Sequence, residues 1–202
     1  MQVEINGNPD MGIILQQGYV GHWVDYDYPS GKASTINRVE VVDTKKINDE
    51  ECYEVEYVSA KPDEVTESPS YWYYTKRADK VYWVRFAHER DSKAIIEDID
   101  DTCPYPTKIE PGMYWHGQET QKNAVTGEVY VSRIRSTKVE PVVELRIGAR
   151  IHRCLKLLVL GTNADGIGAP TLVEKYINEH GFTIKNFDKE SGIIFFLIEK
   201  ED

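Results

Sequence analysis

Two histidines and two aspartates are the residues of this sequence best suited to acid–base chemistry. His22 and His116 each adjoin a tryptophan, and Asp25 and Asp27 follow His22 in the same predicted strand. Residues two apart in a strand point to one face, so the two carboxylates form a pair. An imidazole beside such a carboxylate could serve a hydrolase or lyase as a general base. The same carboxylates are equally typical of a solvated strand face.

The sequence lacks the spaced motifs that hold metals or activate nucleophiles. Its five histidines are dispersed, without His-Glu-x-x-His or His-x-His, and its three cysteines do not have the spacing of zinc ligands. It contains no Gly-x-Ser-x-Gly elbow and no Ser-x-x-Lys pair. The sequence therefore assigns no catalytic residue, no metal site and no cofactor.

A hairpin dense in aromatic side chains is the sharpest local signal of a binding surface. Residues 71–74 are Tyr-Trp-Tyr-Tyr, and residues 81–84, beyond a turn at 77–79, are Val-Tyr-Trp-Val. Strand alternation places large rings on both faces, although one face of a simple sheet is normally wet. The second aromatic face either lies under other parts of the protein or lines an apolar groove. The predicted ligand-binding residues are Trp72, Tyr73, Tyr74 and Trp83, with Trp23 and Trp115 as anchors of the two halves.

The three cysteines are predicted to have different surroundings. Cys52 and Cys154 lie in predicted strands, where a cysteine usually behaves as a small buried hydrophobic residue. Cys103 lies between an aspartate-rich run and two prolines, which predicts an exposed thiol in a loop. No disulfide is expected.

The chain also contains a faint internal repeat. Residues 18–86 carry glycine and tryptophan, a Ser-Gly turn, a β-like run, Cys52 and, 21 residues later, Tyr73. Residues 111–187 carry a similar order that ends in Cys154 and, 22 residues later, Tyr176. Self-similarity of this kind predicts two copies of one meander joined by residues 87–110. The alternative is that the similarity between the two segments arose by convergence, since any all-β chain reuses the same strand and turn patterns.

Short alternating runs separated by Gly, Pro, Asn and Asp predict an all-β fold. We expect a single domain over residues 1–202, formed by a curved antiparallel sheet, half-barrel or barrel built from two pseudo-repeated β-meanders. A short strand is predicted at 94–99, and separate strands at 128–138 and 142–147. A strand is predicted at 172–177, and residues 171–180 are the best alternative for a helix. Turns are predicted at 8–10, 29–32 and 189–192.

Composition excludes several partners. The formal net charge of −10 repels nucleic acid and anionic membranes, and no cluster of basic residues offsets it. No apolar run is long enough for a transmembrane helix, and no signal peptide is visible. The chain is therefore expected to be either a cytoplasmic protein or a mature domain without its leader.

With its glycine–tryptophan segments, the strand that begins at Cys154 and the closing turn at 176–181, the chain resembles bacterial extracytoplasmic lipoprotein-like β-sheet proteins, including the LolA-like lipoprotein-carrier half-barrels. The resemblance implies a curved antiparallel sheet with an apolar concavity for a lipid or acyl chain, and it favours an extracytoplasmic location. It carries no functional residue over to this chain, which shows neither a lipobox cysteine nor a charged lid helix.

Three functions remain compatible with the sequence. The leading hypothesis is a non-enzymatic binding module whose aromatic groove takes an apolar ligand (a lipid or acyl chain) or a partner segment. The first alternative is a hydrolase or lyase that uses His22 or His116 with Asp25. The second is an assembly subunit whose aromatic face forms an oligomer interface.

Overall fold

The computed structural model describes residues 1–5, 7, 14–27, 32–61, 68–90, 96–147, 149–165, 170–188 and 193–197. In these residues every regular element is a β-strand, and no helix capable of crossing a membrane occurs among them. The strands are β1 (Val3–Glu4), β2 (Val20–Asp27), β3 (Lys32–Ile47), β4 (Glu50–Ala60), β5 (Ser68–Arg77), β6 (Lys80–Ala87), β7 (Ile96–Asp101), β8 (Tyr105–Pro106), β9 (Lys108–Ile109), β10 (Tyr114–Asn123), β11 (Val129–Ile147), β12 (Arg150–Asn163), β13 (Thr171–Asn178), β14 (Thr183–Asp188) and β15 (Ile193–Leu197).

Antiparallel pairing links the longer strands into one continuous circuit. Strands β2 to β6 pair in chain order, and β6 also pairs with β7. Strand β7 pairs with β10, strands β10 to β15 pair in chain order, and β15 pairs with β2. A flat sheet cannot return to its first strand, so this sheet is strongly curved. The predicted all-β, curved antiparallel fold is confirmed.

Turn chemistry explains where two of the hairpins bend. Asn48 and Asp49 both have positive φ, at 49° and 67°, as a two-residue turn with the handedness of type I′ requires. Ala78, with φ of 51°, lies in the turn that pairs Arg77 with Lys80. The hairpin predicted about residues 77–79 is therefore confirmed. The turns predicted at 8–10, 29–32 and 189–192 lie wholly or mostly outside the described residues.

The region predicted as a join between the halves contributes to the sheet. Strand β7, predicted at 94–99 and found at Ile96–Asp101, is inserted between β6 and β10. The short strand β8 pairs with the start of β6, and β9 pairs with β1. The strands predicted at 128–138 and 142–147 form the single strand β11, which bends at a bulge. The strand predicted at 172–177 is confirmed as β13, which pairs on both sides, so the helical alternative at 171–180 is wrong.

Each of the two meanders begins with the same turn. Gly18 and Gly112 have φ of 79° and 89°, which glycine adopts at little cost. Their backbone N–H groups donate to the carbonyls of Val41 and Val139, both at 2.9 Å. A bulge follows each valine in β3 and β11. These features recur in both halves, and duplication of one ancestral segment stays a prediction.

The tryptophans, in contrast, lie at different positions relative to these turns. Gly21 and Trp23 flank His22, whereas Trp115 and Gly117 flank His116 in the reverse order. Residue 117 has no room for a side chain, because an added Cβ would lie 2.6 Å from the carbonyl carbon of Thr102. The second meander therefore has its large ring two residues earlier, on the same face of its strand.

Three hydrophobic clusters form the core of the part of the chain that the structure describes. One belongs to the first meander and lies on one face of β2–β6; its buried members are Leu15, Trp23, Val39, Val41, Val55, Tyr74 and Val81. A second lies on the other face and consists of Ile47, Cys52, Tyr71, Tyr73, Val84 and Ala87. The third joins the second meander to β1, β8 and β9 through Val3, Ile5, Tyr105, Ile109, Val139, Leu155, Leu157 and Ile177.

Candidate functional site

The first candidate site is a group of aromatic rings on one face of the first meander. Trp72 is at its centre, with its ring centroid 4.8 Å from that of Trp83, 5.0 Å from that of Phe86 and 6.3 Å from that of Tyr57. Trp23 extends the group, at 5.8 Å from Tyr57. We call these five residues the aromatic cluster. Trp23 is buried, whereas the other four rings are partly exposed and can contact a ligand.

Strand register explains why the rings of this cluster meet. Trp72 pairs with Phe86 across β5 and β6, while Tyr74 pairs with Trp83 after a one-residue bulge. The bulge keeps Trp83 and Phe86 on the same face although they are three residues apart. The indole N–H groups are already used, because Trp72 donates to the hydroxyl of Ser70 at 3.1 Å and Trp83 to the carbonyl of Arg85 at 3.2 Å. The cluster therefore offers apolar ring surface to a ligand.

A polar chain borders the aromatic cluster. The hydroxyl of Tyr57 donates to the side-chain oxygen of Asn37 at 2.7 Å, and the Asn37 amide donates to the carboxylate of Asp25 at 2.9 Å. Burial raises the pKa of Asp25, although the bond from Asn37 lowers it, and burial with the nearby Asp25 charge raises the pKa of Tyr57 to about 12. Among the described residues no histidine forms a hydrogen bond or ion pair with Asp25, so the pairing of Asp25 with His22 or His116 considered for a hydrolase or lyase is not present. The enzymatic alternative stays a prediction.

The second candidate site is a cavity of about 210 Å³ where two strands separate. Strand β6 pairs with β7 only through residues 85–87 and with β8 only through residues 80 and 81. The segments 82–84 and 99–101 consequently face each other across a gap without pairing. We call this gap the strand cleft. Its lining is formed by Asn48, Arg77, Tyr82, Trp83, Val84, Asp98, Ile99, Asp100, Asp101 and Lys122.

Most charges of the strand cleft are already compensated. Arg77 makes two hydrogen bonds to Glu50, at 2.6 and 2.7 Å. The Asp98 carboxylate accepts a bond from Arg85 at 2.8 Å. Asp101 lies 3.6 Å from Arg135 and accepts a bond from the Cys103 N–H, yet burial raises its pKa.

Lys122 and Asp100 are the exceptions among the charges of the cleft. In the part of the chain that the structure describes, neither side chain has an ion-pair partner. Lys122 pairs across strands with Asp98, and Asp100 lies two residues further along β7. The cleft therefore presents one uncompensated cation and one uncompensated anion.

The structure separates the predicted ligand-binding residues into three groups. Trp23, Trp72, Tyr74 and Trp83 meet in the core cluster of the first meander. Tyr73 points to the opposite face, where its hydroxyl donates to the buried carboxylate of Glu54 at 2.9 Å. Trp115 lies in the second half, 6.0 Å from the ring of Tyr105. Trp23, Tyr73 and Tyr74 are buried, whereas Trp72, Trp83 and Trp115 are partly exposed. A ligand role for the six residues stays a prediction.

Sequence reasoning missed Tyr57, Phe86, Lys122 and Asp100. Tyr57 alternates with the buried Val55 in a predicted strand, so the period-two pattern could have placed it on the same face. Phe86 depends on the bulge in β6. The proximity of Lys122 to Asp100 depends on pairing between β7 and β10. No periodic pattern in the sequence of either strand indicates that pairing.

The predicted exposure of Cys103 is wrong. Its side chain is 1% exposed, because the loop that carries it lies over Gly117 and the guanidinium of Arg135 donates to the Cys103 carbonyl at 2.7 Å. Burial raises the pKa of the thiol, an effect that Arg135 partly offsets. Cys52 and Cys154 are also buried, and all three cysteines are free.

A buried basic group lies in the second meander, away from both candidate sites. The Lys175 ammonium donates to the hydroxyl of Tyr105 at 3.0 Å, and the Arg135 guanidinium lies 5.4 Å from the Tyr105 ring centroid. Burial lowers the pKa of Lys175 to about 7 and raises that of Tyr105. Lys175 pairs with Leu157 on one side and Asn186 on the other.

Comparison with solved structures shows the same fold in two bacterial proteins. A candidate lipoprotein from Parabacteroides distasonis has a TM-score of 0.53 at 10% identity, over 96% of this chain and 97% of that one. A candidate exported protein with a YmcC-like fold from Bacteroides fragilis has a TM-score of 0.53 at 10% identity, over 98% of each chain. The sequence matches no protein-family model and no curated protein. The resemblance to lipoprotein-like β-sheet proteins is thus supported at the level of the fold, without specific support for the LolA-like group.

Proposed function

We propose that this protein is a non-enzymatic binding module that takes the apolar part of a ligand on the Trp72–Trp83 pair. One observation carries this proposal: Trp83 stacks on Trp72 and also lines the strand cleft. An accessible aromatic pair beside a cavity supplies apolar contact area, while the polar groups around it set the ligand's orientation.

The surroundings of the pair favour binding over catalysis. Both indole N–H groups donate within the protein, so the rings provide contact surface and no acid or base. The polar chain that borders the aromatic cluster, from Asp25 to Tyr57 through Asn37, is internally hydrogen-bonded. These groups hold the rings in place, which reduces the entropy that a ligand must remove on binding.

An extracytoplasmic location is part of the proposal. It is supported by the two proteins with the same fold, one described as a candidate lipoprotein and the other as a candidate exported protein. The ligand would then be a molecule met outside the cytoplasm, and the acyl chain implied by the LolA-like resemblance is one form that its apolar part could take.

The test is titration with the uncharged apolar fluorophore N-phenyl-1-naphthylamine, followed by energy transfer from tryptophan. We expect saturable binding that Trp83→Leu and Trp72→Leu each weaken about tenfold, since an aromatic anchor at a binding site contributes on that scale. Oleate, added as a competitor, would show whether an acyl chain uses the same surface.

Tyr114→Phe provides the control, because Tyr114 lies on β10, outside the aromatic cluster and the strand cleft, and its change should leave the affinity unchanged. Far-UV circular dichroism and urea unfolding establish that each variant folds. Binding that is absent, or that is equal in folded Trp83→Leu and the parent protein, overturns the proposal.

A further inference from the structure

We infer that the strand cleft binds a small zwitterion of dipeptide size that carries an apolar side chain. This inference rests on the proposed function and names the class of its ligand. It begins from the cavity itself: segments 82–84 and 99–101 are strand edges that face each other without pairing, so both present backbone hydrogen-bonding groups to an occupant.

Backbone groups at open strand edges recognise extended peptide in other proteins by adding hydrogen bonds to it. The cleft is bounded at both ends, by the pairing of residues 85–87 with β7 and of residues 80 and 81 with β8. Only three residues of β6 lie between these points. A long added strand therefore does not fit, and a ligand with one peptide bond does.

The uncompensated charges match the two ends of such a ligand. Lys122 can pair with a carboxylate and Asp100 with an ammonium group, whereas Arg77, Asp98 and Asp101 are engaged with the protein's own residues. Because Lys122 lies opposite Asp98, it is diagonal to Asp100 across β10 and β7. Diagonal neighbours have their Cβ atoms roughly 7 Å apart. The two side chains therefore start close enough together to reach both ends of one extended dipeptide, whose Cα atoms are about 3.8 Å apart.

The apolar side chain would lie against Trp83, which lines the same cavity. In this arrangement the aromatic cluster contributes affinity, and the two charges select a ligand that has both termini free. A ligand with one terminus capped keeps only one of the two charge contacts and leaves the other charge of the cleft uncompensated.

Calorimetric titration with Gly-Leu, N-acetyl-Gly-Leu and Gly-Leu-amide tests the inference on the parent protein and two variants. We expect Gly-Leu to bind roughly three- to tenfold more tightly than either capped form, the range typical of a partly exposed charge contact. Lys122→Gln should weaken Gly-Leu and N-acetyl-Gly-Leu but not Gly-Leu-amide. Asp100→Asn should weaken Gly-Leu and Gly-Leu-amide but not N-acetyl-Gly-Leu.

Lys138→Gln is the control, because Lys138 lies on β11 and pairs with Glu140. The inference is overturned if capped and free peptides bind with equal affinity, or if each variant loses the same affinity for all three peptides. It is also overturned if Gly-Leu does not bind at millimolar concentration. If N-phenyl-1-naphthylamine still binds in a Trp83-dependent manner in that case, the proposed function stands and only the ligand class is wrong.

Discussion

Lys175 of β13 donates a hydrogen bond to the hydroxyl of Tyr105 of β8 at 3.0 Å, and both side chains are buried. In the first meander the corresponding strand position, counted from the bulge between β3 and β4, is occupied by Trp72. The two halves therefore place an aromatic ring and an amine at related points of similar sheets. Whatever the origin of the two halves, they differ at this position, where the first has its candidate site.

We predict that Lys175 makes stability rise with pH above neutrality. Burial lowers its pKa from 10.5 in the unfolded chain to about 7 in the folded protein. Between these values the unfolded chain binds a proton that the folded protein does not, so raising the pH removes a cost of folding. From pH 7 to pH 9 the free energy of unfolding should rise by about 2 kcal/mol relative to that of Lys175→Met.

Urea unfolding of both proteins at pH 7, 8 and 9 measures this difference. Tyr105 titrates at higher pH because burial raises its pKa, and Arg135 keeps its charge, so neither contributes in this window. If the free energy of unfolding changes equally with pH in the parent protein and in Lys175→Met, Lys175 stays charged when folded.

Local sequence patterns predict the fold class well. Alternation and turn residues identify the hairpin about residues 77–79 because both signals are contained within a few neighbouring residues. The place of β7 between β6 and β10 could not be read in this way, since it depends on pairing between segments distant in the chain. The helical alternative at 171–180 fails because pairing with β12 and β14 overrides local preference.

The candidate site was predictable only in part, for a related reason. Trp72 and Trp83 face each other across a tight hairpin, so their proximity follows from the sequence. The bulge in β6 was not predictable, and it determines that Phe86 joins them. The position of Tyr73 on the other face follows from alternation along β5, which the sequence does show. The strand cleft arises where the pairing between β6 and β7 ends. No residue type in the sequence indicates that position.

We predict that Gly117→Ala destabilises the protein by about 2 kcal/mol, within the range for overpacked sites. An added Cβ would lie 2.6 Å from the carbonyl carbon of Thr102 and 2.8 Å from the Cβ of Cys103. The loop that crosses β10 at this point must therefore move. Urea unfolding measures the loss.

Gly127→Ala separates this effect from backbone strain. Gly127 has φ of 74° and no atom within 4 Å of an added Cβ, so its replacement costs only the left-handed strain of about 1 kcal/mol. A loss for Gly117→Ala no larger than the loss for Gly127→Ala would mean that the crossing loop adapts freely.

We predict that Glu54→Gln destabilises the protein by about 3 kcal/mol, the scale for breaking a buried charge network. The Glu54 side chain is fully buried, with the Lys45 ammonium at 2.6 Å, the Arg90 guanidinium at 2.8 Å and the Tyr73 hydroxyl at 2.9 Å. The amide removes the negative charge with which both cations pair. Glu56→Gln is the control, since its carboxylate is partly exposed and lies 3.5 Å from Arg38. Similar losses in the two variants would show that burial of Glu54 adds nothing to its pairing.

The final prediction concerns the three thiols. Burial raises the pKa of Cys52 and of Cys154 to about 11, with smaller contributions from Glu50 and Glu179, and it raises the pKa of Cys103 as well. Thiolate is the reactive form, so at pH 8 the folded protein should react with 5,5′-dithiobis(2-nitrobenzoate) at least about a hundredfold more slowly than free cysteine, whose pKa is near 8.5. In guanidinium chloride all three thiols should react at once. Rapid reaction of one thiol in the folded protein, lost in Cys103→Ser, would show instead that the loop over Gly117 opens readily and exposes Cys103.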